Sequence, residues 1–121
     1  MATLAHTFSK SNLQEEYIMA QKNVLSRRQF RESEFDGSRY EYNLRSGEFV
    51  ATIDCKRWGK RKKLVTYMTF EDGRRIVAPT WPRSRYEGLA SVEVGSKIRI
   101  IYIESSRGNL CVRGVVLLEN P

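Results

Sequence analysis

The chain has 121 residues, enough for one domain with an arm to spare, and its 40% hydrophobic and 29% charged content is that of a globular protein slightly lean in core material. Its 21 Lys and Arg against 14 Asp and Glu leave a net charge of +7. That excess favours polyanions: nucleic acid first, an anionic membrane or an acidic protein next. Apolar runs stop at four to five residues, as at Val115 to Leu118, which excludes a transmembrane helix. Met1 to Lys10 lacks the apolar core of a signal peptide, so the expectation is an intracellular, cytoplasmic protein.

Few residues could support catalysis. The single histidine is His6, and the two cysteines, Cys55 and Cys111, form no CxxC. A disulfide framework, a zinc site or a His-dependent triad would need more than this. Neither GxxxxGK[ST], GxGxxG nor GxSxG occurs. Glu71 and Asp72 are adjacent acids in a turn sequence, where turn chemistry explains them. The expectation is a non-enzyme with no metal and no cofactor.

Charge divides the chain near Gly47. Residues 1–47 hold seven basic and six acidic side chains, a net of +1, whereas residues 48–121 hold fourteen and eight, a net of +6. In the first part Ser11 and Gln14 match a capping box, which predicts a helix over Asn12 to Arg28. Glu15 and Glu16 near its start, and Arg27, Arg28 and Arg31 near its end, suit the helix dipole. Leu13, Tyr17, Ala20 and Val24 recur at helical spacing and make one apolar stripe. An isolated helix of this length is marginal in water. The stripe therefore needs a surface: the protein's own sheet, a second copy or a protein partner. Asp36-Gly37 reads as a turn, and Tyr40 to Leu44 as a leading edge strand.

The second part reads as strands. Phe49, Ala51, Ile53 and Cys55 alternate with Val50, Thr52 and Asp54, which predicts that the first set faces inward. Leu64, Thr66, Met68 and Phe70 alternate with Val65, Tyr67 and Thr69 in the same way. Asp72-Gly73 predicts a tight hairpin into a short third strand over Arg75 to Ala78, stopped by Pro79 and Pro82. A short helix follows within Arg83 to Val92, then strands over Lys97 to Ile103 and Leu110 to Leu118, with Gly114 marking a bulge or bend.

Strand, strand, strand, short helix, strand, strand is also the element order of the OB-fold, a five-stranded Greek-key barrel. The resemblance covers Glu48 to Glu119 and rests on that order, on Phe70-Glu71-Asp72-Gly73 closing the second strand, and on Val94-Gly95-Ser96-Lys97 opening the fourth. SH3-like barrels give a similar rhythm. The fold class expected is mainly β: a five-stranded OB-like or SH3-like small barrel over residues 48–121, with an N-terminal helical arm over residues 1–47.

The sequence Lys56-Arg57-Trp58-Gly59-Lys60-Arg61-Lys62-Lys63 carries six basic residues in eight, interrupted only by a tryptophan and a glycine. It falls between the first two long strands, where an OB-like barrel places a loop that flanks bound oligonucleotides. Lys and Arg neutralise phosphates and release counterions, Trp58 offers a stacking face, and Gly59 permits close approach. A solvated hairpin tip that discourages edge pairing is the plainer alternative. Tyr67, opposite the inward set, is the strand residue best placed to stack on a base. Arg74, Arg75, Arg99 and Arg113 extend the candidate surface onto a sheet face, although a strand arginine also covers apolar neighbours with its stem. Trp81, beside Arg83 and Arg85, reads as a lid or a second stacking group, and the sequence does not decide the role of Tyr40, Tyr42 or Tyr86. The expected function is largely sequence-nonspecific nucleic-acid binding with single strands favoured. The alternative is an adaptor subunit of a ribonucleoprotein or phage particle, held by the N-terminal helix.

Overall fold

A computed structural model describes residues 24–80 and 87–121. Its elements are β1 (Val24–Leu25), α1 (Arg27–Glu32), β2 (Gly47–Trp58), β3 (Leu64–Phe70), β4 (Arg75–Thr80), α2 (Glu87–Ser91), β5 (Lys97–Glu104) and β6 (Leu110–Glu119). The protein is mainly β. Five strands form an antiparallel sheet in the order β4-β3-β2-β5-β6, and β1 adds a short parallel pairing to β2. Strands β2, β3 and β4 follow one another, and β5 returns to lie on the other side of β2, which is Greek-key winding. Among the described residues no pairing joins β4 to β6, so the sheet is not closed. No described helix is long and apolar enough to cross a membrane.

The β3–β4 hairpin forms where Asp72-Gly73 predicts it. Gly73 takes φ +92°, its N–H donates to the Phe70 carbonyl at 2.9 Å, and Asp72 accepts from the Arg74 N–H at 3.0 Å. Strand β6 breaks register between Gly114 and Val112, opposite Ile101 and Tyr102, in line with the irregularity expected at Gly114.

The inward alternation of β2 holds only to Ile53. Ile53 pairs with Met68 and Cys55 with Tyr67, so Asp54 is an extra residue, a β-bulge. Its carboxylate accepts from the Tyr40 hydroxyl at 2.8 Å and the Thr69 hydroxyl at 2.6 Å. Beyond a one-residue slip every side chain changes face. Ala51 and Ile53 join the main core with Met68, Ile76, Leu89, Ile98 and Ile100. Cys55 falls instead into a second cluster with Val65, Tyr67 and Val77, on the opposite side of the sheet.

That second side is covered by residues that precede β2. Leu25, Phe30, Phe35 and Tyr40 pack on it. The helix expected over Asn12 to Arg28 is corrected at its end: Val24 and Leu25 are strand, pairing with Lys56 and Arg57. Val24 is only 5% exposed and belongs to the protein's own core, so it is not a docking residue. Leu13, Tyr17 and Ala20 lie outside the described residues. A capping box does occur, at Ser26 and Gln29: the Ser26 hydroxyl accepts from the Gln29 N–H at 3.0 Å and the Ser26 N–H donates to Gln29 Oε1 at 2.8 Å. The leading strand expected at Tyr40 to Leu44 reduces to one parallel bridge, Glu41 to Ile76.

The bulge also turns Lys56 inward. It has no exposed surface. Its ammonium donates to the carbonyls of Leu89 and Ala90, each at 3.1 Å, and to that of Val92. These carbonyls close the C-terminal end of α2, where a cation suits both the unpaired acceptors and the dipole. Lys56 is thus a helix cap, buried away from the surface on which a nucleic acid was expected to meet it.

Burial pulls the Lys56 ammonium down to about 8, against the pull of Glu93 in the other direction. With a folded pKa below the unfolded one, the unfolded chain binds more protons between those values, and stability rises with pH across that window. Lys56→Met leaves three carbonyls without their donor and is expected to lower stability by about 2–4 kcal/mol. Denaturant titrations of both proteins at neutral pH and near pH 9.5 check this, and the gap is expected to widen at the higher pH.

Candidate nucleic-acid interface

Strand β2 ends at Trp58, and the chain reverses through a 3-10 turn at Lys60–Lys62. The Gly59 N–H donates to the Lys63 carbonyl at 2.8 Å, and the Lys63 N–H to the Lys60 carbonyl at 3.1 Å. A Cβ on Gly59 would sit 3.2 Å from Val65 Cγ2 and 3.7 Å from Arg57 Nη1, so glycine lets these two side chains close over the turn. Arg61 and Lys62 take φ of +57° and +61°. Left-handed backbone at a non-glycine residue costs roughly 1–2 kcal/mol. The turn thus places Lys60, Arg61 and Lys62 in solvent at the expense of local strain.

Beside this turn is a cavity of about 300 Å³. Four basic residues line it: Arg27, Arg57, Lys60 and Lys63. Tyr42, Gly59, Val65 and Pro79 complete the lining, which among the described residues includes no carboxylate. Val65 and Pro79 are cross-strand partners on β3 and β4 and give the cavity an apolar wall. Tyr42 is 69% exposed, a ring open to solvent at the edge of a cationic cavity.

Arg57 is fixed from behind. Its Nε donates to the Tyr67 hydroxyl at 2.9 Å, and its guanidinium carbon lies 5.0 Å from the Phe30 ring centre and 5.8 Å from that of Tyr67. Tyr67 is itself 4% exposed. Phe30 stacks on it at 5.5 Å between centres, while Phe35 and Tyr40 meet it edge-on at 5.1 and 5.2 Å. A Cβ on Gly37 would come within 3.0 Å of the Tyr67 ring, so that turn lies directly on it. Tyr67 is therefore a support for Arg57, and its expected role as a stacking face is corrected. Trp58 is also corrected: it is half-buried and packs against the main core. Lys63 is half-buried at the cavity wall.

The remaining arginines do not converge on this end. Arg74 and Arg75 follow the β3–β4 turn, at the other end of a strand whose seven residues span roughly 20 Å. Arg74 Nε pairs with Asp72 at 2.8 Å, and its guanidinium lies over Phe70 and Phe49 at 5.2 and 5.7 Å. Arg75 is exposed there. Arg99 lies 3.9 Å from Glu48, and Arg113 is exposed at the β6 register break. The outward face around Arg99 is aliphatic, with Val50 and Val116 as its cross-strand neighbours. Trp81, Arg83, Arg85 and Tyr86 lie outside the described residues.

Two cavity residues were not legible as site residues. Arg27 reads in the sequence as a helix-end charge, yet the pairing of Leu25 with Arg57 carries the chain to the basic end of the sheet. Tyr42 follows Glu41, whose bridge to β4 holds that segment beside Pro79. Long-range pairing places both, and no local pattern announces it.

Other chemistry is scarce. Among the described residues no three His, Cys, Asp or Glu side chains come together to hold a metal. Burial pushes the Cys55 thiol up, away from the thiolate form a nucleophile needs. Burial and the Asp54 carboxylate push the Tyr40 hydroxyl up to about 12. Comparison with known protein families, with curated proteins and with solved structures finds no match to this chain.

The strained turn can be checked by stability alone. Asparagine tolerates left-handed backbone, so Arg61→Asn with Lys62→Asn is expected to change stability by no more than about 0.5 kcal/mol. A valine at either position is expected to cost about 1–3 kcal/mol. Thermal unfolding of the two sets distinguishes them.

Proposed function

We propose that this chain is a nucleic-acid-binding module that favours single strands and reads little sequence. The observation that carries the reading is the gathering of Arg27, Arg57, Lys60 and Lys63 around one cavity, with Arg61 and Lys62 in the adjoining turn. These cations contact phosphate, which supplies affinity without sequence information. Tyr42 offers a solvent-open ring on which an unpaired base can stack, and stacking tolerates any base. The architecture supports the same reading. Greek-key winding with a helix between β4 and β5 is also the winding of a partly open OB-like barrel, and the basic turn joins β2 to β3, which would be the first two strands of such a barrel. The role is one of binding, without catalysis.

A second reading, a subunit of a larger assembly, has one observation in its favour. Ile103, Val116, Leu117 and Leu118 are exposed on β5 and β6, and β6 is an edge strand. Such edges pair readily with other chains. The two roles are compatible.

The test is binding of fluorescent single-stranded and duplex oligonucleotides across a salt series. Each cation neutralised on a single strand changes the slope of log K against log salt by about 0.7. The variant Lys60→Ser, Arg61→Asn, Lys62→Asn is therefore expected to flatten that slope by about 2. Arg74→Gln is expected to leave it unchanged. Wild-type affinity that does not vary with salt overturns the reading.

A further inference from the structure

We propose that the cavity walled by Arg27, Arg57, Lys60 and Lys63 takes the terminal phosphate of a nucleic-acid strand, so that the protein recognises a phosphorylated strand end. This rests on the nucleic-acid reading above and names the part of the ligand that the cavity holds.

Charge is the first argument. Four cationic side chains line one cavity, and among the described residues no carboxylate lines it with them. An internal phosphodiester carries a single negative charge, whereas a terminal phosphomonoester carries about −1.5 to −2 at neutral pH and three acceptor oxygens. Arg27, Arg57 and Lys60 alone set three cations around one space, which matches the second better. A surface that only tracks a backbone distributes its cations along a groove.

Shape is the second argument. About 300 Å³ is at the small end of ligand cavities. Val65 and Pro79 form an apolar wall, and proline offers no N–H to a passing strand. Such a space is large enough for one terminal phosphate and its sugar. Tyr42 at the rim then meets the first base, and Lys60, Arg61 and Lys62 lie where the following phosphates leave.

Rigidity is the third. Arg57 is held by the Tyr67 hydroxyl at 2.9 Å and by the Phe30 ring, so its guanidinium is positioned before any ligand arrives. Preorganised donors lose less entropy on binding than free surface side chains do.

The experiment uses the full chain and single-stranded oligonucleotides of one sequence that end in a 5′-hydroxyl, a 5′-phosphate or a 3′-phosphate. A phosphorylated end is expected to bind about tenfold more tightly than the hydroxyl end, as one added charge-assisted hydrogen-bonded contact gives. The cavity lining includes no histidine, carboxylate or cysteine among the described residues, so the phosphate is the group that titrates near pH 6. The preference is expected to shrink between about pH 7.5 and about pH 5.5 as the second proton returns. Arg27→Gln is expected to abolish the preference, and Arg74→Gln to retain it. Equal, salt-sensitive affinity for all three ends overturns the proposal and leaves the nucleic-acid reading standing. No binding to any oligonucleotide overturns both. A phosphoserine peptide that binds more tightly than the phosphorylated strand also overturns the proposal, by assigning the cavity to protein phosphate.

Discussion

One extra residue in β2, Asp54, determines which side chains of that strand face inward. Before it, Ala51 and Ile53 point into the main core; after it, Lys56 and Trp58 take that side, and Cys55 and Arg57 take the other. The bulge is fixed by the hydroxyls of Tyr40 and Thr69 on its carboxylate. Both faces of β3 are consequently buried, one against the main core and one against Leu25, Phe30, Phe35 and Tyr40. A sheet with both faces covered needs apolar material from outside its own strands. Here the segment before β2 supplies it.

The same slip gives neighbouring cations opposite fates. Lys56 is drawn under α2, where three carbonyls need three N–H donors and an ammonium has three. Arg57, one residue on, is turned toward Tyr67 and Phe30, and its flat guanidinium suits that stacked position in a way an ammonium would not. Beyond Gly59 none of the described residues buries the chain, and Lys60 to Lys62 are exposed. Three roles, cap, wall and exposed turn, follow from position relative to one bulge.

Much of the fold can be read from the sequence because its signals are local. The alternation of Leu64 to Phe70, the Asp72-Gly73 hairpin and the β5 and β6 runs each depend on neighbours within a few residues. The failures are where distant contacts decide. Cys55 and Lys56 exchange faces because Tyr40, fourteen residues before Asp54 in the chain, holds the bulge. Val24 continues an apparent helical stripe, yet its partner is Lys56 in a parallel strand pair. The S-x-x-Q pattern at Ser26, which does cap a helix, is as short as the one at Ser11 and stands out from the sequence no more than that one does. For the candidate site, the basic sequence points to the turn but not to what lies behind it: Tyr67 looks outward by alternation and is buried because Phe30, Phe35 and Gly37 fold over it.

Elsewhere on the described surface five basic residues are offset locally, while Arg75 and Arg113 are exposed without an ion pair. Arg28 pairs with Glu32, Arg39 with Asp36, Arg74 with Asp72, Lys97 with Glu71 and Glu119, and Arg99 with Glu48. Exposed pairs of this kind add little stability, about 0–1 kcal/mol each. Their effect on the field is larger, since each removes a cation from what an approaching polyanion senses. The Debye length at physiological salt is about 8 Å, well short of the roughly 20 Å that β3 spans. Charges at the β3–β4 turn therefore contribute little at the opposite end of the sheet. Arg27, Arg57 and Lys60 share one cavity that no carboxylate of the described residues lines, so the local field at this end of the sheet is positive.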